Sequence, residues 1–259
     1  MNNINAIKFC SEGTSTISII KKCDFITDYN VSLEYSYNGT DWNAWDLSAL
    51  TINSGDILYI RGNNPSGLNS VNEYYNFTIE GDNVSCSGNI MSLIDYKTLP
   101  NIIPCDYCFY ELFSGCTSLI TAPELPAAEL TDRCYYQMFS GCTSLVNAPE
   151  LPATRLANFC YSNMFFKCSS LIAAPVLPAT TLANSCYTGM FFGCTALTTA
   201  PELPATRLAE WCYAYMFKDC TSLAKSPELP AKSLANSCYT GMFFGCTALK
   251  DEQFLSNNI

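Results

Sequence analysis

The sequence predicts an α+β protein, in which an N-terminal all-β, sandwich-like domain precedes a right-handed, curved α/β solenoid of about six 26-residue coils. Three observations predict this fold. Leu-Pro recurs every 26 residues from Leu99-Pro100 to Leu229-Pro230. Each repeat contains apolar residues four apart, and residues 1–90 contain no copy of the repeat but alternate in polarity as strands do. We therefore place the β-domain at residues 1–90, the solenoid at 91–250 and a C-terminal cap or tail at 251–259.

The β-domain is predicted from short alternating segments separated by turn residues. Residues 31–37 alternate in polarity and lead into Asn38-Gly39, a strong signal for a two-residue hairpin. Several further segments of this kind favour a β-sandwich. Trp42 and Trp45 follow the hairpin. We expect one indole in the core and take Trp42 as the ring available to stack on a sugar.

Each repeat is predicted to contain a helix of about two turns. In one unit, Leu182, Cys186, Met190 and Cys194 are spaced by four, as in an apolar helical stripe. Asn or Asp two residues before the first cysteine is the expected N-cap, and a glycine next to the second cysteine is the expected C-terminal end. The Ala-Pro-Glu-Leu-Pro segment that follows predicts a narrow, interrupted strand on the inner face. Residues 89–98 are expected to cap the first coil.

Most of the cysteines belong to the repeat. Two cysteines eight residues apart on a helix are separated by about 12 Å, which is too far for a disulfide. We therefore predict reduced thiols that act as small buried apolar residues. No C-x-x-C pair recurs, which argues against tetrathiolate zinc, and no metal or cofactor is expected. The predicted core cysteines are Cys108, Cys116, Cys134, Cys142, Cys160, Cys168, Cys186, Cys194, Cys212, Cys220, Cys238 and Cys246.

Composition narrows the function further. Across 259 residues, 23 acidic side chains face 13 basic ones, for a net charge of −10, which disfavours nucleic acid as a partner. The chain has no histidine, so His-dependent catalysis and His-ligated zinc are excluded. No apolar run approaches the ~20 residues of a membrane span, and the first residues do not read as a signal peptide.

The repeat resembles a known family. Leu-Pro followed by Cys-Tyr-x-x-Met-Phe-x-Gly-Cys-Thr-Ser-Leu is similar to the BspA-like class of leucine-rich repeats, over roughly residues 97–250. That class uses Ile-Pro, Ala in place of Met before Phe, and a shorter period. The resemblance implies a leucine-rich-repeat solenoid of the kind found in gut Bacteroidetes or their phages. It also implies adhesion or partner binding rather than catalysis.

All candidate binding residues except Trp42, which lies in the β-domain, occupy repeat positions that face outward or that vary. Glu124, Glu150, Glu202 and Glu228 form an acidic column that Val176 interrupts. This column is expected to attract a cation, a basic partner or sugar hydroxyls, or simply to be solvated. Positions that vary between repeats are informative because the scaffold does not dictate them. Phe166, Phe192 and Phe244 could likewise form a contact ridge or pack under the next coil. The candidate set is Glu124, Glu150, Glu202, Glu228, Arg155, Arg207, Trp211, Phe159 and Trp42.

These observations predict a non-enzymatic binding or adhesion protein that presents a rigid surface to a protein or glycan partner. The expected location is a bacterial cell surface, provided that the natural chain has a leader missing from this sequence. The alternative is a structural or host-attachment protein of a phage virion. A glycan-active enzyme that uses two stacked carboxylates is a less favoured alternative, because duplication explains a repeated column better than a unique catalytic pair does.

Overall fold

The computed structural model describes residues 4–23 and 30–250, and this part of the chain contains nine β-strands and no α-helix. A single 3-10 helix, Ile90–Leu93, follows the eighth strand. The strands are β1 Ile7–Ser11, β2 Ser15–Cys23, β3 Leu33–Ser36, β4 Asn43–Ala44, β5 Leu50–Ile52, β6 Ile57–Gly62, β7 Glu73–Gly81, β8 Val84–Ser87 and β9 Leu119–Thr121.

The N-terminal strands form two sheets around a shared core. One sheet has the order β4-β3-β6-β1-β8-β9 and the other β5-β2-β7, and every pairing except β8–β9 is antiparallel. Phe9 of β1 and Phe77 of β7 bring the sheets together, with ring centroids 5.4 Å apart. Trp45 packs 6.3 Å from Phe77. This arrangement is compatible with the predicted β-sandwich.

The predicted α/β leucine-rich-repeat solenoid is wrong, because the repeat segments form turns and not helices. In the first unit, Tyr110, Leu112, Ser114 and Cys116 each donate their backbone N–H to the carbonyl three residues earlier. The intervening N–H groups donate to the next unit instead, as Phe109 does to the Cys134 oxygen at 2.9 Å. A helix would direct these groups to the carbonyl four residues earlier. The α+β class therefore gives way to a nearly all-β structure.

Backbone dihedrals explain this outcome. Every fourth residue of the turn segment has positive φ, for example Arg133 at 55°, Gln137 at 52° and Gly141 at 74°. A positive φ at the third position of a four-residue turn is typical of type II and interrupts any right-handed helix. The Asn and Asp residues predicted as N-caps have another role. The Asn158 side chain, for example, accepts the backbone N–H of Asn184 in the next unit at 3.2 Å.

Successive units stack in register, one layer per 26 residues. Buried aromatic side chains form two columns, in which neighbouring ring centroids lie 5.5–5.8 Å apart with planes within 11° of parallel. The Ala-Pro-Glu-Leu-Pro segments run beside them. The residues that directly precede these segments are joined from unit to unit through isolated parallel bridges, such as Thr121 to Asn147 and Asn147 to Ala173.

The β-region supplies the first layer of this stack. Phe77 of β7 lies 4.9 Å from Phe113 with planes only 6° apart, so its ring continues the second aromatic column. The Cys116 thiol donates to the Phe77 carbonyl, as the Cys142 thiol does to the Phe113 carbonyl. The cap was expected at residues 89–98. Ile90 at the start of that segment does bond the first unit through Glu124, but β7 is what lies against the aromatic column. The predicted cap at 251–259 lies outside the described residues.

All twelve repeat cysteines are buried, and the fifteen cysteines of the described residues whose side chains are placed are free thiols. Burial raises the pKa of Cys116 and of Cys168 to about 12. Burial also raises the pKa of Cys134 and Cys160 well above the usual value. These four thiols are therefore protonated at neutral pH and serve as small apolar side chains.

Candidate functional site

The turn segments present one outward face, which we call the turn face. Within the segments two buried residues alternate with two at outward positions: Cys108 and Phe109 are buried, whereas Tyr110 and Glu111 are partly exposed. The buried exceptions at outward positions are the small residues Ser162, Ser185, Gly189 and Ala214. The alternation follows from the overlapping turns, because each turn reverses the chain after two residues. The turn face comprises residues 106, 107, 110, 111, 114 and 115 and their equivalents in the next five units.

Inward and outward positions differ in their variability. The inward positions repeat almost unchanged, with cysteine first, then Phe or Tyr, then Met or Leu, then Phe. The outward positions change from unit to unit: the residues equivalent to Tyr107 are Arg133, Phe159, Ser185, Trp211 and Ser237. The stack therefore dictates the inward residues and leaves the outward ones free to carry chemistry.

One aromatic and cationic patch surrounds Lys218. Its ammonium nitrogen lies 4.7 Å from the ring centroid of Phe192, 5.4 Å from that of Phe244 and 5.7 Å from that of Tyr215. Phe244 is 65% exposed, and Trp211 and Tyr215 are each more than one-third exposed. Attraction between the cation and the ring faces holds this cluster together at the surface. We call Lys218, Phe192, Phe244 and Tyr215 the Lys218 patch; Trp211 lies on the turn face of the same unit as Lys218 and Tyr215.

A glycine of the next unit, Gly241, makes room for the Tyr215 ring of the patch. Gly241 has a φ of +59°, and a side-chain carbon built on it would lie 2.6 Å from the Tyr215 ring. A larger residue at position 241 would displace that ring. The glycine therefore serves two purposes: it adopts the positive φ of the turn without strain, and it lets Tyr215 lie across the backbone of the next unit.

A second patch lies at the other end of the turn face. The Arg133 guanidinium carbon sits 4.3 Å from the Phe159 ring centroid and 5.4 Å from that of Tyr107. Beside it, Tyr110 stacks on Tyr136 at 5.2 Å with parallel planes. Burial raises the pKa of the Tyr110 hydroxyl, so this group stays a neutral hydrogen-bonding phenol.

The predicted binding residues divide among separate places. Phe159 and Trp211 lie on the turn face, Phe159 in the patch around Arg133 and Trp211 on the unit that contains Lys218. Arg155 is exposed and pairs with Glu129 at 3.1 Å, and Arg207 is exposed on the same column as Arg155. These arginines lie between the turn segments and the Ala-Pro-Glu-Leu-Pro segments, so the structure does not bring them together with the aromatic residues.

The acidic column forms a face of its own. Its four glutamates are exposed on the Ala-Pro-Glu-Leu-Pro row, and Val176 interrupts them with 78% of its surface exposed. Shallow grooves lie between neighbouring segments, one of about 280 Å³ lined by Glu124 and Glu150 and one of about 470 Å³ lined by Glu202 and Glu228. Four prolines line each groove.

Trp42 is partly buried and its ring already has a partner. The Arg61 guanidinium carbon lies 3.7 Å from the Trp42 ring centroid and 3.9 Å from that of Tyr96. Arg61 also pairs with Glu34 at 2.7 Å. Arg61 therefore covers one face of the indole that we had taken as a possible sugar platform, while Trp45 is buried in the core.

Sequence reasoning missed Arg133, Lys218 and Tyr215, which complete the two patches. The available signal was their variation between repeats at outward positions, but a helical reading gave the wrong outward set. Within the described residues no group of three or more candidate ligands could hold a metal ion. No helix in that part of the chain could span a bilayer. Comparison with protein-family models, characterised proteins and solved structures finds no match.

Proposed function

We propose that this chain is a binding protein that holds a protein or glycan partner on its turn face. The observation that carries the proposal is the contrast between the uniform inward positions and the varied outward ones, which collect aromatic and cationic side chains. A stack that needed only to fold would accept small polar residues outward, as it does at Ser237. Large exposed rings serve recognition better than they serve solubility.

The chemistry of the turn face favours a protein partner first. Trp, Tyr and Arg are the residues that most often dominate binding energy at protein interfaces. Trp211, Tyr215 and Arg133 supply all three types. Exposed rings can also stack on sugars, so a glycan partner is the other arm of the experiment.

The stacked backbone supports tight binding because it fixes the face in advance. Backbone hydrogen bonds run from each turn segment to the next, as from Tyr215 to Thr240 at 2.8 Å and from Trp211 to Asn236 at 3.1 Å. Side chains on such a frame lose little further freedom when a partner docks. The turn face is thus a preorganised surface and not a flexible loop.

The decisive experiment compares binding of the wild type with that of a triple variant, Trp211→Ala, Tyr215→Ala and Phe244→Ala. Partners are sought on a glycan array and in surface extract of gut bacteria, since the repeat sequence resembles that of gut-bacterial surface proteins. Removal of three exposed rings is expected to weaken binding by about tenfold or more. Val176→Ala is the matched control, because it removes an exposed apolar side chain from the Pro-Glu row.

The result can also contradict the proposal. A partner that binds the triple variant as tightly as the wild type does not use the Lys218 patch. If Glu202→Gln with Glu228→Gln abolishes binding while the triple variant retains it, the acidic row is the binding face and the turn face is not. Circular dichroism and thermal unfolding of each variant verify that the fold is intact.

A further inference from the structure

Cys105 and Cys108 form the one C-x-x-C pair of the sequence, and they differ from the other cysteines of the repeats. Position 105 is outside the two repeating cysteine series. Cys105 is partly exposed, whereas Cys108 is fully buried at the start of the first turn segment. The pair therefore combines one thiol that solvent can reach with one that it cannot.

The two sulfurs face the same point of the β-region. A side-chain carbon built on Gly67 would overlap the Cys105 sulfur and would lie 3.5 Å from the Cys108 sulfur. Gly67 has a φ of +102°, so the loop brings bare backbone against both thiols. The Cys105 sulfur also lies 3.7 Å from the Asn69 carbonyl oxygen.

The electrostatic environment separates the roles of the two thiols. Hydrogen bonding from Cys108 lowers the pKa of Cys105, while burial raises the pKa of Cys108 well above the usual value. A thiol with a lowered pKa and solvent access is the one that attacks, and its protected neighbour is suited to resolve the product.

We propose that Cys105 and Cys108 form a reversible disulfide by exchange with a small-molecule disulfide, for which glutathione disulfide is the probe. The Cys105 thiolate attacks one sulfur of the probe, whose S–S bond breaks and releases one glutathione thiolate. Cys108 then gives its proton to solvent and attacks the Cys105 sulfur, which releases the second glutathione. Two protein thiols are oxidised and one glutathione disulfide is reduced to two glutathiones.

The location gives this exchange a structural consequence. Asn69 donates its backbone N–H to the Cys108 carbonyl at 3.2 Å and its side-chain amide to the Tyr110 carbonyl at 2.8 Å. The pair thus lies where the β-region holds the first turn segment. Asp106 and Tyr107, between the two cysteines, belong to the turn face, so oxidation constrains its first layer. This inference does not depend on the proposed function.

The test incubates the native full-length chain in glutathione buffers ranging from reducing to oxidising, followed by acid quenching, alkylation and peptide mass spectrometry. The expected result is a disulfide within the peptide containing residues 105–108 and the loss of two thiols per chain, reversed by reduced glutathione. Cys108→Ser should stop at a glutathione adduct on Cys105, and Cys105→Ser should form neither product. Cys10→Ser, which changes another partly exposed cysteine, should behave as the wild type does.

Several results would overturn the proposal. One is a wild-type chain that accumulates the glutathione adduct on Cys105 without closing the disulfide. Another is a Cys105 thiol that stays reduced in the most oxidising buffer. Because Cys108→Ser could destabilise the buried position, the wild-type labelling order provides an independent test: Cys105 should be alkylated before the twelve buried repeat cysteines.

Discussion

The aromatic column around Phe165 offers a quantitative test of the stacked architecture. Phe165 is fully buried between Phe139 and Phe191, with ring centroids 5.8 and 5.7 Å away and planes within 6° of parallel. Phe165→Leu keeps an apolar side chain and removes both ring contacts. Each contact contributes about 0.5–1.5 kcal/mol beyond area burial. With the incomplete filling of the space, the expected total loss is about 2–4 kcal/mol.

A double-mutant cycle separates the ring contact from the loss of volume. Equilibrium urea unfolding gives the free energy for Phe165→Leu, Phe191→Leu and the pair, and the coupling between these adjacent rings should be about 1 kcal/mol. Phe139 and Phe191 are the matched control, because they have the same residue types and burial but are separated by Phe165. Their coupling should stay below about 0.5 kcal/mol.

The reasoning is refuted if the adjacent pair shows no coupling, or if the separated pair couples as strongly as the adjacent one. Either result would mean that the rings do not interact layer by layer. Phe165→Leu should also leave the turn-face residues unchanged, so binding measured on the folded variant should match the wild type.

Four further predictions follow from individual groups. Tyr187→Phe removes a buried hydroxyl that lacks a hydrogen-bond partner and should raise the unfolding free energy by about 1 kcal/mol; a loss would show that the hydroxyl is satisfied. Asn158→Ala removes the acceptor for the Asn184 amide and should cost about 1 kcal/mol while speeding exchange of that amide in hydrogen-exchange NMR. Burial raises the pKa of Cys116 to about 12 from 9.0, so the stability that this thiol contributes is complete below pH 9 and is lost as the pH rises toward 12. Above pH 9 the unfolding free energy should therefore fall with pH, and Cys116→Ala should make this slope shallower by up to ~1.4 kcal/mol per pH unit, as measured by urea unfolding at each pH. Trp211→Gly should have a higher unfolding free energy than Trp211→Ala, by about 0.5–1 kcal/mol in urea unfolding, because φ at this position is +58° and glycine adopts it without strain. Equal unfolding free energies of the two variants would contradict the backbone argument.

Some features of the fold could be predicted because they depend on composition and spacing alone. The 26-residue period shows which residues occupy equivalent layers, and the structure joins such layers by backbone bonds such as that from Tyr161 to the Cys186 carbonyl at 3.0 Å. The alternating strands indicated a β-rich N-terminal region, but the two-residue hairpin predicted at Asn38-Gly39 is wrong, because a longer loop joins the paired residues Tyr35 and Asn43. These inferences need no knowledge of the backbone dihedrals inside a repeat.

The helix prediction failed because a spacing of four has two structural origins. A helix places residues four apart on one face, and so does a ribbon of overlapping turns that exposes and buries residues in pairs. The pair Cys186-Tyr187 followed by Met190-Phe191 fits both patterns. Gly189 and Gly193, four apart within one unit, marked the positive-φ positions, but one of them is also what a helix C-terminus requires.

The candidate site was only partly predictable for the same reason. Trp211 and Phe159 were chosen because they vary between repeats, and that criterion does not depend on the type of secondary structure. Arg133 meets the same criterion but was not chosen, and its proximity to aromatic rings, like that of Lys218, comes from layers 26 residues apart and from the direction in which each turn points its side chain. Arg133 contacts Phe159 across one such layer.

The backbone dihedral angles at the varied turn-face positions help to explain why large residues occur there. Arg133, Phe159 and Trp211 all have positive φ, between 55° and 58°. This region costs a residue with a Cβ about 1–2 kcal/mol relative to right-handed conformations, whereas glycine adopts it freely. Glycine does occupy other positive-φ positions of the same turn segments, at Gly193 and Gly245, so the turns accept it in this geometry. Bulky side chains at strained positions therefore lower stability, and their contribution must lie elsewhere, as with strained residues at functional sites. Under the proposed function, recognition by the turn face would supply that contribution.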